Sequence, residues 1–74
     1  MNRRQEDIVK IVVNGSSRSY KGRVTVSAVL KQAGAARDRV AVVVNGEIVS
    51  RPAFGTRILK NNDKLEILTY ASGG

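Results

Sequence analysis

The chain has 74 residues, which fits one domain with a modest core, and it carries 13 Lys and Arg against 6 Asp and Glu. It holds no Cys, so a disulfide framework and thiolate metal ligation are excluded, and no His, which removes the commonest general base and metal ligand. The few carboxylates are scattered along the chain rather than paired, so the composition points away from an enzyme and away from a resident metal or cofactor.

Met1 to Asp7 are polar and charged without an apolar period, and are expected to form a flexible N-terminus over residues 1–7. Ile8-Val9-Lys10-Ile11-Val12-Val13 is rich in β-branched residues and reads as a strand, with Val9, Ile11 and Val13 on one face. Asn14-Gly15 favours positive φ and a tight hairpin, after which Arg18 to Tyr20 returns as a short second strand ending at Lys21-Gly22. Thr25 is placed as a helix N-cap. Val26, Val29, Leu30 and Ala33 follow at helical spacing on one face, and Gly34 is placed just past the helix end.

Arg39 to Val44 reads as a strand with apolar residues on both faces, suited to the interior of a sheet. Val40, Val42 and Val44 are expected beneath the helix, and Ala41 and Val43 on the opposite face. Asn45-Gly46 is a second hairpin turn leading to a short strand, Glu47 to Val49. Pro52 stops regular pairing, residues 51–60 form a connection with a helical turn expected near Ile58-Leu59, and Asn61-Asn62-Asp63-Lys64 has turn chemistry. Leu65 to Tyr70 is the last strand, and residues 71–74 are a small tail. The order predicts an α+β fold of the β-grasp type spanning residues 8–70: a mixed sheet of about five strands with one helix on one face, the first and last strands parallel and adjacent at the centre. The longest strictly apolar run is Val40 to Val44 and nothing resembles a signal peptide, so a cytoplasmic location without membrane association is expected.

The sharpest chemical feature is Gly73-Gly74. Glycine lacks Cβ, so a tail of this kind passes a narrow constriction, and about four residues beyond Tyr70 reach roughly 13 Å at about 3.3 Å each. The terminal carboxylate would then be the reactive group, activated by adenylation on a partner that binds ATP. Val40-Ala41-Val42-Val43-Val44-Asn45-Gly46-Glu47-Ile48-Val49 with Arg51-Pro52, Thr25-Val26 followed by Val29-Leu30, and Asn62-Asp63-Lys64-Leu65-Glu66-Ile67 before a terminal Gly-Gly together resemble the thiamine-biosynthesis sulfur carriers over residues 8–74. That resemblance implies a ubiquitin-like β-grasp fold. It also implies adenylation of Gly74 by a partner resembling ubiquitin-activating enzymes, conversion to a thiocarboxylate, and delivery of sulfur to thiazole synthase. On this reading the chain is a co-substrate, Gly74 carries the sulfur, Gly73 gives access to it, ATP is used by the partner, and the free chain is a monomer.

Three alternatives stand beside it. One is a sulfur carrier for molybdopterin or tRNA thiolation, another a ubiquitin-like protein modifier, and the third a basic RNA-binding β-grasp module. With one Phe and two Tyr the chain offers no stacking platform, so nucleic acid ranks last. The surplus of basic residues also suits docking to an acidic partner surface. The apolar residues expected on the outer sheet face, Ala41 and Val43 with Leu68 and Tyr70, form a candidate docking patch.

Overall fold

The computed structural model describes residues 8–69. Strand β1 (Ile8–Val13) and strand β2 (Ser16–Lys21) form an antiparallel hairpin in full register from Ile8↔Lys21 to Val13↔Ser16. Its loop, Asn14 at φ 49° and Gly15 at φ 84°, has the two consecutive positive φ values of a type I′ turn, whose twist matches that of the strands it joins. The returning strand is longer than the Arg18 to Tyr20 expected, because this two-residue loop starts pairing at Ser16.

Strand β3 (Val24–Thr25) leads into helix α1 (Val26–Ala33). Thr25 is the N-cap: the Ala28 N–H donates to its Oγ1 at 3.2 Å. Gly34 ends the helix in the left-handed conformation at φ 73°, its N–H donating to the carbonyls of Leu30 and Lys31. Val26, Val29 and Leu30 are buried as expected, but Ala33 is exposed. The helix is eight residues long, and its last residue has already run past the edge of the core.

Arg39 belongs to a short 3-10 turn (Arg37–Arg39), so strand β4 (Val40–Val44) begins one residue later than the apolar pattern suggested. A second type I′ turn, Asn45 at φ 51° and Gly46 at φ 85°, joins β4 to strand β5 (Glu47–Val49). The connection after it departs from expectation. Its 3-10 turn lies at Arg51–Ala53, with Pro52 near the start where its missing N–H costs nothing. Ile58-Leu59 is not helical but a strand, β6 (Ile58–Leu59), paired antiparallel with β3. The 3-10 turn brings Phe54 into the core, 1% exposed.

The last strand, β7 (Lys64–Thr69), lies at the centre of a five-stranded sheet ordered β2-β1-β7-β4-β5. It runs parallel to β1 and antiparallel to β4. One apolar cluster unites Ile11 and Val13, the buried helix residues, Val40, Val42, Val44, Phe54 and Leu65. No polar or charged residue among the described residues is wholly buried with them. Tyr20, on the helix side of the edge strand, packs against this cluster, and its hydroxyl is buried without a hydrogen-bond partner among the described residues.

Candidate functional site

The chain leaves the sheet through β7, so what holds β7 also holds the base of the C-terminal segment. Backbone pairing with β1 covers only Val12↔Lys64 and Val13↔Leu65 before β1 turns away. Asn14 then takes over the role of a strand. Its N–H donates to the Leu65 carbonyl at 3.0 Å, its Oδ1 accepts the Ile67 N–H at 2.7 Å, and its Nδ2 donates to the Ile67 carbonyl at 3.3 Å. A carboxamide presents an acceptor and a donor side by side, as a peptide group does, so the ladder continues for one more residue without a strand.

The second hairpin turn grips the other side. The Asn45 N–H donates to the Lys64 carbonyl at 2.8 Å, its Oδ1 accepts the Lys64 N–H at 2.9 Å, and its Nδ2 donates to Asp63 Oδ1 at 2.9 Å. The other Asp63 oxygen accepts the Lys60 N–H at 2.8 Å, and Asn61 Oδ1 accepts the Lys10 N–H at 2.7 Å. Four short polar side chains from three turns thus fix the start and middle of β7. Turn propensity alone accounts for Asn14 and Asn45 in the sequence. Their second role depends on β7 arriving alongside both turns, which no local pattern announces.

The outer face of the sheet is the second part of the site. Val40, Val42 and Val44 point to the helix and are at most 2% exposed, so Ala41 and Val43 point outward as the alternation predicts. The register sets Ala41 opposite Leu68 and Val43 opposite both Glu66 and Ile48. Three of the four expected patch residues therefore share one face, with Leu68 50% exposed. Ile48, 80% exposed, is the most exposed large apolar side chain on this face and was not among the expected patch residues. The two-residue Asn45-Gly46 loop contained the signal, because it forces Val43 and Ile48 to pair. At the Val40 end of β4, a cleft of about 290 Å³ is lined by Ala41 and Ile48 from this face, by Val40, Val49 and Phe54 from the core side, and by Arg51 and Pro52. Arg51 closes its far wall: Nε donates to the Arg37 carbonyl at 3.1 Å and Nη2 to the Asp38 carbonyl at 3.2 Å.

Tyr70, Gly73 and Gly74 lie outside the described residues. Among the described residues there is no cluster of side chains able to hold a metal ion, and no helix is long and apolar enough to cross a membrane. What the described residues supply is a firmly held strand leading to the C-terminus and, beside it, an apolar sheet face.

The fold is shared with a thiamine biosynthesis protein (ThiS) from Geobacter metallireducens. Its crystal structure superposes with a TM-score of 0.74 at 30% identity, covering 89% of this chain and all of that one. Its solution NMR structure gives a TM-score of 0.71 at the same identity, over 89% of this chain and 88% of that one. The arrangement is therefore the ubiquitin-like β-grasp. A thiazole synthase from Paramagnetospirillum magneticum is 36% identical over 66 residues, and one from Magnetococcus marinus is 32% identical over 66 residues. These cover 89% of this chain but 20% of each relative, so the chain spans about a fifth of the length of the curated relatives it matches. Residues 11–74, nearly the whole chain and reaching the final Gly-Gly, match the ThiS family, and the chain belongs to that family.

Proposed function

We propose that this chain is a sulfur carrier for thiazole formation in thiamine biosynthesis, with Gly74 as its reactive residue and no catalytic site of its own. The observation that carries the reading is the family match over residues 11–74, which includes Gly73-Gly74. Chemically, a carboxylate is a poor electrophile. Attack of the Gly74 carboxylate oxygen on the α-phosphorus of ATP, held by an adenylyltransferase resembling ubiquitin-activating enzymes, expels pyrophosphate and gives an acyl-adenylate. A donor at the oxidation level of sulfide then attacks the acyl carbon, AMP leaves, and a thiocarboxylate remains. Gly73 keeps the approach narrow, since it adds no Cβ.

Thiazole synthase is the proposed acceptor. In the two bacterial relatives a segment like this chain is part of the same polypeptide as a thiazole synthase, which fits a carrier that must meet that enzyme. Ala41, Val43 and Leu68, with Ile48 beside them and Tyr70 two residues after Leu68, form the docking face for these partners. The carrier acts in the cytoplasm as a monomer until it meets them. ATP–pyrophosphate exchange by the cognate adenylyltransferase tests the proposal. The full chain is expected to stimulate exchange and a chain lacking Gly74 is not; equal exchange with both would end the carrier reading.

A further inference from the structure

The outer sheet face is divided along the direction of its strands. Ala41 and Leu68 lie toward the Thr69 end of β7, and Val43 and Ile48 are level with Glu66 in the middle of the strand. Toward the opposite end the face carries three lysines around the exposed Ile8, with Glu66 between Lys64 and Leu68. Lys64 of β7 sits beside Val12, Lys10 lies two residues further back on β1, and Lys21 of β2 pairs with Ile8. All three lysines are exposed and project to the side away from the helix, since their strand neighbours Ile11, Tyr20 and Leu65 face the core.

The register converts this into distances. Lys64 precedes Leu68 by four residues, and Lys10 is level with position 62, six residues before Leu68. At about 3.3 Å per residue Lys64 and Lys10 lie roughly 13–20 Å from Leu68, measured away from the tail, while Val43 and Ile48, level with Glu66, begin about 7 Å from Lys64.

We propose that Lys10 and Lys64, flanked by Lys21, are the second point of a two-point docking surface. It takes an acidic patch on the protein partner, set back roughly 13–20 Å from the partner's contact with Leu68, at about 3.3 Å per strand residue. The inference rests on the carrier reading above and adds what the partner must look like. Charge complementarity selects the occupant. A second copy of this chain would set lysine against lysine in a chain of net charge +7. RNA would gain no stacking, because the aromatic residues on the described part, Tyr20 and Phe54, lie on the core side. An acidic protein surface uses both halves of the face. The lysines steer approach and fix orientation, so that the tail points into the acceptor site when the apolar patch closes.

The test is affinity of the full chain for the thiazole synthase of the same organism, measured at low and high salt for wild type, Lys10→Glu, Lys64→Glu and Lys31→Glu. Lys31 is exposed on the helix, so its reversal changes net charge equally but off the sheet face. Lys10→Glu and Lys64→Glu are each expected to weaken binding about tenfold, mainly through slower association, and to flatten the salt dependence. Lys31→Glu is expected to change it by less than about threefold. Wild-type binding with equal losses in all three variants overturns the docking inference alone, because only overall charge then matters. Absence of wild-type binding overturns it together with thiazole synthase as the acceptor. Tighter binding to anionic phosphatidylglycerol vesicles or to polyuridylate, lost in Lys10→Glu and Lys64→Glu, would reassign the basic half to lipid or RNA.

Discussion

Replacing Asn14 tests whether a side chain stands in for a strand at the base of the tail. Asn14→Gly keeps the positive φ of 49° accessible while removing both carboxamide contacts to Ile67, at 2.7 and 3.3 Å. A net intramolecular hydrogen bond contributes about 0.5–1.5 kcal/mol, and the long, exposed one belongs at the weak end. The expected loss is therefore about 1–2 kcal/mol, which for a domain of this size lowers Tm by roughly 4–16 °C. Asn14→Ala should lose about 1 kcal/mol more, because Ala must then hold a left-handed conformation. Urea titration gives the two stabilities, and an unchanged m-value would show a loss of stability with the same surface exposed on unfolding. Hydrogen exchange adds a local reading, since the Ile67 amide should lose protection more than the Leu30 amide in α1. If Asn14→Gly costs under about 0.3 kcal/mol and Ile67 exchanges as in wild type, the carboxamide does not anchor β7.

The two faces of β4 should separate cleanly. Val42, 0% exposed, should cost about 2–3 kcal/mol on truncation to Ala, whereas Val43→Ala should cost under about 1 kcal/mol; comparable losses in denaturant midpoint would show that the faces are misassigned. Tyr20→Phe removes a buried hydroxyl that has no partner among the described residues, so it should leave stability unchanged or raise it by about 1 kcal/mol, and a clear loss in Tm would reveal a partner. Ile48→Ser changes a side chain that is 80% exposed, so folding stability should move by less than about 0.5 kcal/mol while affinity for thiazole synthase falls about tenfold; unchanged affinity removes Ile48 from the docking face.

Much of this fold is legible in short stretches of sequence. The alternation in Val40 to Val44, the Thr25 cap, Gly34 and the two Asn-Gly turns each act over a few residues, and each sits where the local pattern places it. The failures share a cause in distance along the chain. Val24-Thr25 meets Ile58-Leu59 across more than thirty residues, and a two-residue strand has no periodicity to show. Phe54 is drawn into the core by the 3-10 turn at Arg51–Ala53, which contains a proline that the sequence marks only as a place where pairing stops. The candidate site divides in the same way. Ala41, Val43 and Leu68 are found by alternation, and Ile48 was within reach of the hairpin register. The Asn14 and Asn45 contacts to β7 required the assembled sheet.

Carriage of sulfur on Gly74 is tested most directly by intact mass. The chain is incubated with its cognate adenylyltransferase, ATP and a sulfide donor, beside a chain lacking Gly74. Replacement of one carboxylate oxygen by sulfur should raise the full chain by about 16 Da and leave the shortened chain unchanged. No shift in the full chain, or the same shift in both, would contradict the account.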